Sequence, residues 1–237
     1  MTTLQAQAAQ YLQLEITDAQ AAAFDRFAQE LAEWNQRMNL TSITDPDDVR
    51  VKHFLDSLTL TQIINFDEGD RVIDVGTGAG LPGLALAILF PHIHVMLNEA
   101  TAKKLRFCQH IADTLGLQNV STLHARAEEA GQMPDHRARY DVAVARAVAR
   151  LPALLEYLLP LVKVDGLCVA MKGESAYLEA DDSSSALDIL GGRLEDIVPI
   201  ELPGIEDPHY LVVVIKTRET PAAYPRRAGI PTRQPLE

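Results

Sequence analysis

Cysteine is almost absent: Cys108 and Cys168 stand alone in 237 residues and neither falls in a CxxC spacing. That excludes a disulfide scaffold and leaves no thiolate metal site. Long apolar runs are missing too. The most hydrophobic stretch, Leu81–Phe90, is bracketed by prolines and falls short of the roughly 18 residues a membrane span requires. Met1–Gln10 contain no basic side chain, so no secretory leader is expected and the chain reads as cytoplasmic, with no membrane association. Basic residues are the minority, 21 against 33 acidic, for a net charge of −12. This argues against non-specific coating of nucleic acid, although a local basic face is still allowed. His92 and His94 form an HxH without a third ligand nearby, so no metal is expected. No internal repeat is present. What remains is ordinary globular usage, 47% hydrophobic and 23% charged, in a length that suits one large domain or one domain with an extension.

Charge and periodicity divide the chain into three parts. Residues 1–66 read as a helical extension. Phe24, Phe27, Ala28, Leu31, Trp34 and Met38 recur at spacings of three and four, with Thr17 or Asp18 as N-cap. A turn is expected at Thr44–Asp48 and a second helix over Val51–Ile64. Trp34, at helical spacing, reads as core. Residues 67–219 switch period. Short β-rich runs (Arg71–Val75, His94–Asn98, Val120–His124, Asp141–Ala145, Leu167–Met171, Leu211–Lys216) alternate with helical stretches (Leu81–Phe90, Thr101–Leu115, Ala149–Val162, Glu174–Gly191). Such alternation predicts an α/β, doubly wound, mostly parallel sheet. Residues 220–237 hold four prolines and no periodicity, which predicts a tail wrapped on the surface. Residues 71–150 are the only third with more basic than acidic side chains, nine against seven, and the motifs fall there.

The most informative segment is Val72-Ile73-Asp74-Val75-Gly76-Thr77-Gly78-Ala79-Gly80-Leu81-Pro82-Gly83. An apolar strand ends, glycines fall at alternate positions, and an apolar helix follows. Glycines let a backbone turn sharply and lie against a ligand without a Cβ between them. The carboxyl end of the first strand is where open α/β sheets bind ligands. Two frames compete. Gly78, Gly80 and Gly83 satisfy G-x-G-x-x-G, the dinucleotide pattern, which is weak evidence in a single sequence. Gly76, Gly78 and Gly80, with Asp74 two positions upstream, resemble motif I of the class I S-adenosylmethionine-dependent methyltransferases. Glu99, closing the second β run, suits either cofactor, since a carboxylate there accepts both ribose hydroxyls.

Beyond this turn the sequence resembles the bacterial small-subunit ribosomal RNA guanine-N7 methyltransferases, formerly called glucose-inhibited division protein B. The similarity runs over nearly the whole chain. It is carried by Trp34–Thr41, Val51–Leu58, the Asp74–Gly83 turn, Arg126-Ala127-Glu128-Glu129, Ala145–Ala149, Met171-Lys172-Gly173 and Tyr224–Pro231. The resemblance implies a class I methyltransferase (Rossmann-like) fold, S-adenosyl-L-methionine as methyl donor, and a guanine N7 in small-subunit rRNA, free or in an assembled subunit, as acceptor. It implies cofactor contacts at Gly76, Leu81, Ala127, Glu128 and Arg146. In one place the chain departs from the family: Asn98-Glu99-Ala100 stands where Leu-Asp-Ser is usual. Glutamate keeps the charge and adds a methylene.

The residues agree with that chemistry. Methyl transfer from a sulfonium is an in-line displacement in which the protein mainly positions two reactants. Guanine N7 carries a lone pair and no proton, so no general base is needed. The chain lacks both the Asn-Pro-Pro-Tyr motif of amino-group methyltransferases and the Pro-Cys nucleophile of pyrimidine C5 enzymes. After the fourth β run it carries Arg146, a fixed multi-donor fork. Arg126 and Lys172 are the other candidate catalytic residues. Lys103, Lys104 and Arg106, with Arg226, Arg227 and Arg233 in the tail, are candidate phosphate contacts. A nicotinamide-dependent oxidoreductase is the competing enzyme class, without an evident Tyr-x-x-x-Lys. A non-catalytic rRNA-binding assembly factor is the competing non-enzyme. A monomer is expected.

Overall fold

The computed structural model describes residues 3–237. Seven strands form one sheet: β1 (Arg71–Val75), β2 (His94–Glu99), β3 (Val120–His124), β4 (Tyr140–Arg146), β5 (Val162–Lys172), β6 (Gly192–Ile200) and β7 (His209–Lys216). Their order is β3-β2-β1-β4-β5-β7-β6. β1, β2, β3, β4 and β5 pair in parallel, whereas β7 runs antiparallel to both β5 and β6. The reversed β7 distinguishes this sheet from the 3-2-1-4-5-6 order of a dinucleotide-binding sheet. The central strands are legible as unbroken apolar runs because they are buried on both faces, as Val72, Ile73 and Val75 are.

β6 escapes the sequence reading. Its segment, Gly-Arg-Leu-Glu-Asp-Ile-Val-Pro-Ile, interleaves charges and a proline, both tolerated on an edge strand. Its register also shifts between Leu194 and Asp196. The stretch expected as one helix over Glu174–Gly191 is two, Ala176–Asp181 and Ser184–Leu190. The break falls at Ser183, whose hydroxyl turns back to donate to Glu179 O at 2.6 Å.

The N-terminal helices share a core with one face of the sheet. Helix Asp18–Asn35 starts at a capping box: Thr17 Oγ1 accepts from Gln20 N, and Gln20 Oε1 accepts from Thr17 N at 3.0 Å. Its buried Phe24 and Phe27 pack on Phe54, with centroids 5.2 and 5.3 Å apart, and Phe27 also meets Phe107. Trp34 packs on Phe107 and His110. The expected turn at Thr44–Asp48 is instead the start of a continuous helical segment. Asp45 caps it by accepting from Asp47 N and Asp48 N, and Pro46 takes the first position. The segment continues through Val49–Leu55 and Asp56–Leu58 to Thr59–Gln62. A further helical segment covers Leu4–Leu12, within the stretch expected to be helical. On the opposite face lie helix Leu151–Leu158 and the tail, which carries a single helical turn at Ile230–Arg233.

Candidate active site

The glycine turn leaves the carboxyl end of β1 at the centre of the sheet. Gly76, Gly78 and Gly80 have φ of +70°, +60° and +85°, a region in which side chains are strained. A Cβ at Gly76 would lie 2.7 Å from Val148 Cγ2, and one at Gly80 would lie 2.2 Å from Leu84 Cδ1. Gly78 differs. A Cβ there would meet only Gly76 O, at 3.8 Å, and would otherwise enter open space. Two carboxylates hold the turn. Asp74 Oδ2 accepts from Thr77 Oγ1 at 2.6 Å and from Gly83 N at 2.8 Å. Glu99 Oε2 accepts from Gly78 N at 3.2 Å, and Oε1 accepts from Thr101 N at 2.7 Å. Glu99 thus sits against the turn, as its place at the end of β2 predicts.

Asp74 is fully buried, and burial pushes its carboxyl up to about 6 despite the two hydrogen bonds. Its Oδ1 is the one buried side-chain polar atom without a partner among the described residues.

The turn opens onto a cleft of about 780 Å³ that Gly76, Thr77, Gly78, Leu81 and Arg146 help to line. Arg146, the last residue of β4, reaches across to the N-terminal helices. Its Nη1 donates to Asp56 Oδ2 at 2.7 Å and to Lys52 O at 3.2 Å. Ala147, next in the chain, has φ +57°, a strained value for alanine that turns the backbone into the cleft wall. His53, also in the wall, meets Thr41 Oγ1 through Nε2 at 2.8 Å. Burial, followed by the Arg146 charge, pushes His53 down to about 4, so it is neutral near pH 7. Lys172, closing β5, donates to Glu179 Oε2 at 2.7 Å and to Ala149 O. Arg146 and Lys172 are therefore each matched to a carboxylate, as is Lys52 through Asp48, whereas Lys104, also in the wall, has no carboxylate partner among the described residues.

The sequence reading assigned no role to Thr41, His53, Asp56 or Glu179. Only the family-like segments Trp34–Thr41 and Val51–Leu58 pointed to the first three. Asp56 is 90 residues from Arg146, and no local pattern encodes such a pair.

Six of the expected catalytic and cofactor-binding residues lie outside the cleft wall: Asp74, Gly80 and Glu99 sit in or against the turn behind it, and three others lie beyond β3. Arg126, Ala127 and Glu128 follow β3, which is registered to β2 through His124 and Glu99. Ala125 O accepts from Asn98 Nδ2 at 2.9 Å, which pins this turn to the end of β2. Glu128 Oε1 accepts from Gly229 N at 2.7 Å. Arg126 is exposed, and its side chain has no carboxylate partner among the described residues.

The tail corrects one expectation. Arg226 is not a free phosphate contact. Its Nε and Nη2 bind both oxygens of Glu156, a carboxylate with no exposed surface, at 2.6–3.1 Å. A buried charge of this kind needs its partner.

Sheet order, reversed β7, glycine turn and acid-ended β2 together define a class I S-adenosylmethionine-dependent methyltransferase fold. Solved structures agree on that fold. A SAM-dependent O-methyltransferase from Thermotoga maritima matches with a TM-score of 0.55 at 16% identity, over 81% of this chain and 72% of that one. A SAM-dependent methyltransferase from Aquifex aeolicus matches with a TM-score of 0.54 at 17% identity, over 78% and 98%. The sequence narrows the class. The family described as rRNA small subunit methyltransferase G (GidB) matches residues 20–203. The ribosomal RNA small subunit methyltransferase G of Acetivibrio thermocellus is 46% identical, over 94% of this chain and 91% of that protein. Its counterpart in Desulforamulus reducens is 42% identical, over 97% and 96%. The chain belongs to the rRNA small subunit methyltransferase G family.

Proposed function

We propose that this protein transfers a methyl group from S-adenosyl-L-methionine to N7 of a guanine in small-subunit rRNA, acting as a cytoplasmic monomer. The observation that carries the reading is that the glycine turn and Arg146 line one cleft. The residues fit the cofactor. Gly78 borders open space that a Cβ would enter, and at the end of β1 the buried Asp74 Oδ1 acceptor is unpartnered. Asp74, Gly76, Gly78, Gly80, Leu81, Glu99, Ala127, Glu128 and Arg146 hold the cofactor, with Glu99 accepting from the ribose hydroxyls. When bound, the cofactor supplies a sulfonium-activated methyl group.

The chain's own part is positional. N7 has a lone pair ready in the plane of the ring, so no residue has to remove a proton and His53, neutral at pH 7, need not act as a base. Arg146 orients the reactants with the donors that Asp56 leaves unused. Lys172 buttresses the far wall through Glu179, and Arg126 stands at the rim. With Arg146, Lys172 and Lys52 each offset by a carboxylate, the cleft keeps one cation without a carboxylate partner among the described residues, Lys104, and otherwise suits an uncharged base. Met171, Ile200, Ile205 and Leu211 supply apolar wall that excludes water.

Calorimetry with S-adenosylhomocysteine and with NADH tests the cofactor, and turnover of Arg146→Ala tests the site. The expectation is that S-adenosylhomocysteine binds, NADH does not, and the variant loses methyl transfer. NADH binding, or full turnover in Arg146→Ala, would contradict the reading.

A further inference from the structure

The tail makes a dense set of polar contacts that RNA phosphate binding does not use. Arg226 neutralises the buried Glu156 in helix Leu151–Leu158, and its backbone N–H also donates to Glu156 Oε1 at 2.7 Å. Tyr157, the next residue of that helix, meets Thr232 through its hydroxyl at 2.8 Å. Arg137 gathers four carbonyls, donating to Gly131 O, Tyr224 O, Thr220 O and Pro221 O at 2.7–3.1 Å. Gln132 Nε2 donates to Pro225 O at 2.9 Å. Gly131 leaves no gap at all: a Cβ there would lie 2.6 Å from Pro225 Cγ.

These contacts converge on one place. Between the Arg226 and Thr232 anchors, Gly229 adopts φ +78° and donates its N–H to Glu128 Oε1. Glu128 belongs to the short turn Ala127–Ala130, whose other side is tied to the end of β2 through Asn98 and Ala125. The turn is therefore clamped between the sheet and the tail.

We propose that the tail is a strap that sets the position of the Ala127–Glu128 turn, and that Arg226 is a positioning residue for cofactor binding. This rests on the reading of Ala127 as a cofactor contact. The strap has a specific anchor, since Glu156 is buried and Arg226 is its one cationic partner among the described residues. If Arg226 is removed, Glu156 is stranded, the tail lifts, and Glu128 loses its donor. The cofactor then meets a turn that is no longer fixed in advance.

Titration of S-adenosylhomocysteine into the full chain, with amide exchange followed over residues 125–131, tests the strap. Arg226→Gln is expected to weaken binding about tenfold and to speed exchange in that segment. Arg226→Lys recovers most of the loss, because an ammonium still neutralises Glu156. The KM for rRNA holds in both. Thr232→Val removes only the hydroxyl contact to Tyr157 and is expected to weaken binding about threefold; it carries the test if Arg226→Gln does not fold. Unchanged cofactor affinity in Arg226→Gln, or in Thr232→Val where that variant carries the test, overturns the proposal. So does a raised rRNA KM with unchanged cofactor affinity. Ala127→Leu separates the two claims. If it binds S-adenosylhomocysteine normally, the reading of the turn as a cofactor contact fails. If it loses binding while Arg226→Gln keeps it, the strap alone is wrong.

Discussion

Glu99 Oε2 and Oε1 accept from Gly78 N and Thr101 N, so this carboxylate supports the turn in addition to its proposed role as acceptor for the ribose hydroxyls. A hydrogen bond to a charged group contributes about 1.5–3 kcal/mol. At about 1.4 kcal/mol per factor of ten, Glu99→Ala is expected to weaken S-adenosylhomocysteine by roughly 10- to 100-fold in a calorimetric titration. Unaltered affinity would move the ribose contact elsewhere. Asp74 makes a different prediction. Its folded pKa of about 6 lies above the ordinary value of 3.8, chiefly through burial. The folded state therefore holds the proton more tightly, and stability falls as pH rises from about 4 to 6. Asp74→Asn keeps an oxygen for Thr77 and Gly83 but cannot ionise. Its unfolding free energy relative to the parent should climb across that window and be flat on either side. A difference that stays constant from pH 4 to 7 would show that Asp74 is not held in its protonated form by burial.

The helices of residues 3–66 share side chains with the sheet. Phe27 is fully buried between Phe54 and Phe107. Phe27→Ala is expected to cost about 3–5 kcal/mol in denaturant unfolding, with one transition, because the ring it removes touches both layers. Two separated transitions would mean that these layers unfold independently. The same elements show what a single sequence can reveal. β1 and β3 were legible to the residue, because strong apolar runs or turn signals flank them. The cap at Thr17 was legible as one of two choices, since Gln20 completes its box. β6 was hidden by its edge position, where charges and Pro199 are harmless. The glycine turn and Glu99 were legible because backbone conformation and strand ends leave local signatures. The Arg146–Asp56 and Arg226–Glu156 pairs were not, because each joins elements distant in the chain and neither partner advertises the other. Arg226 was misread for that reason: as sequence it is a cation in a basic tail, and as structure it is the counter-charge of a buried acid.

With a net charge of −12, the molecule has no overall attraction for a phosphate backbone, so RNA contact must be local. Most of its cations are already committed to carboxylates or carbonyls. Lys103, Lys104 and Arg106, at the start of helix Ala102–Leu115, have no carboxylate partner among the described residues, and the same holds for Arg126 and Arg37. Lys104 lines the cleft itself. Arg126 lies where β3 ends beside β2, and Arg37 lies just beyond Trp34, which packs on that helix. This edge is where rRNA is expected to lie. Replacing Lys103, Lys104 and Arg106 with glutamine should weaken rRNA binding and flatten its log–log salt slope by about 0.7–0.9 for each phosphate no longer neutralised. Cofactor affinity should not change. An unaltered slope would place the RNA elsewhere. The central claim, transfer to guanine N7, is tested most directly by mapping. Purified protein is incubated with methyl-labelled S-adenosylmethionine and small subunits that lack the modification, and the rRNA is then cleaved chemically at N7-methylguanine and read by primer extension. A single labelled guanine, cleaved because its N7 is methylated, is the predicted result. Label on another atom or another base, or no transfer from a cofactor that binds, would contradict it.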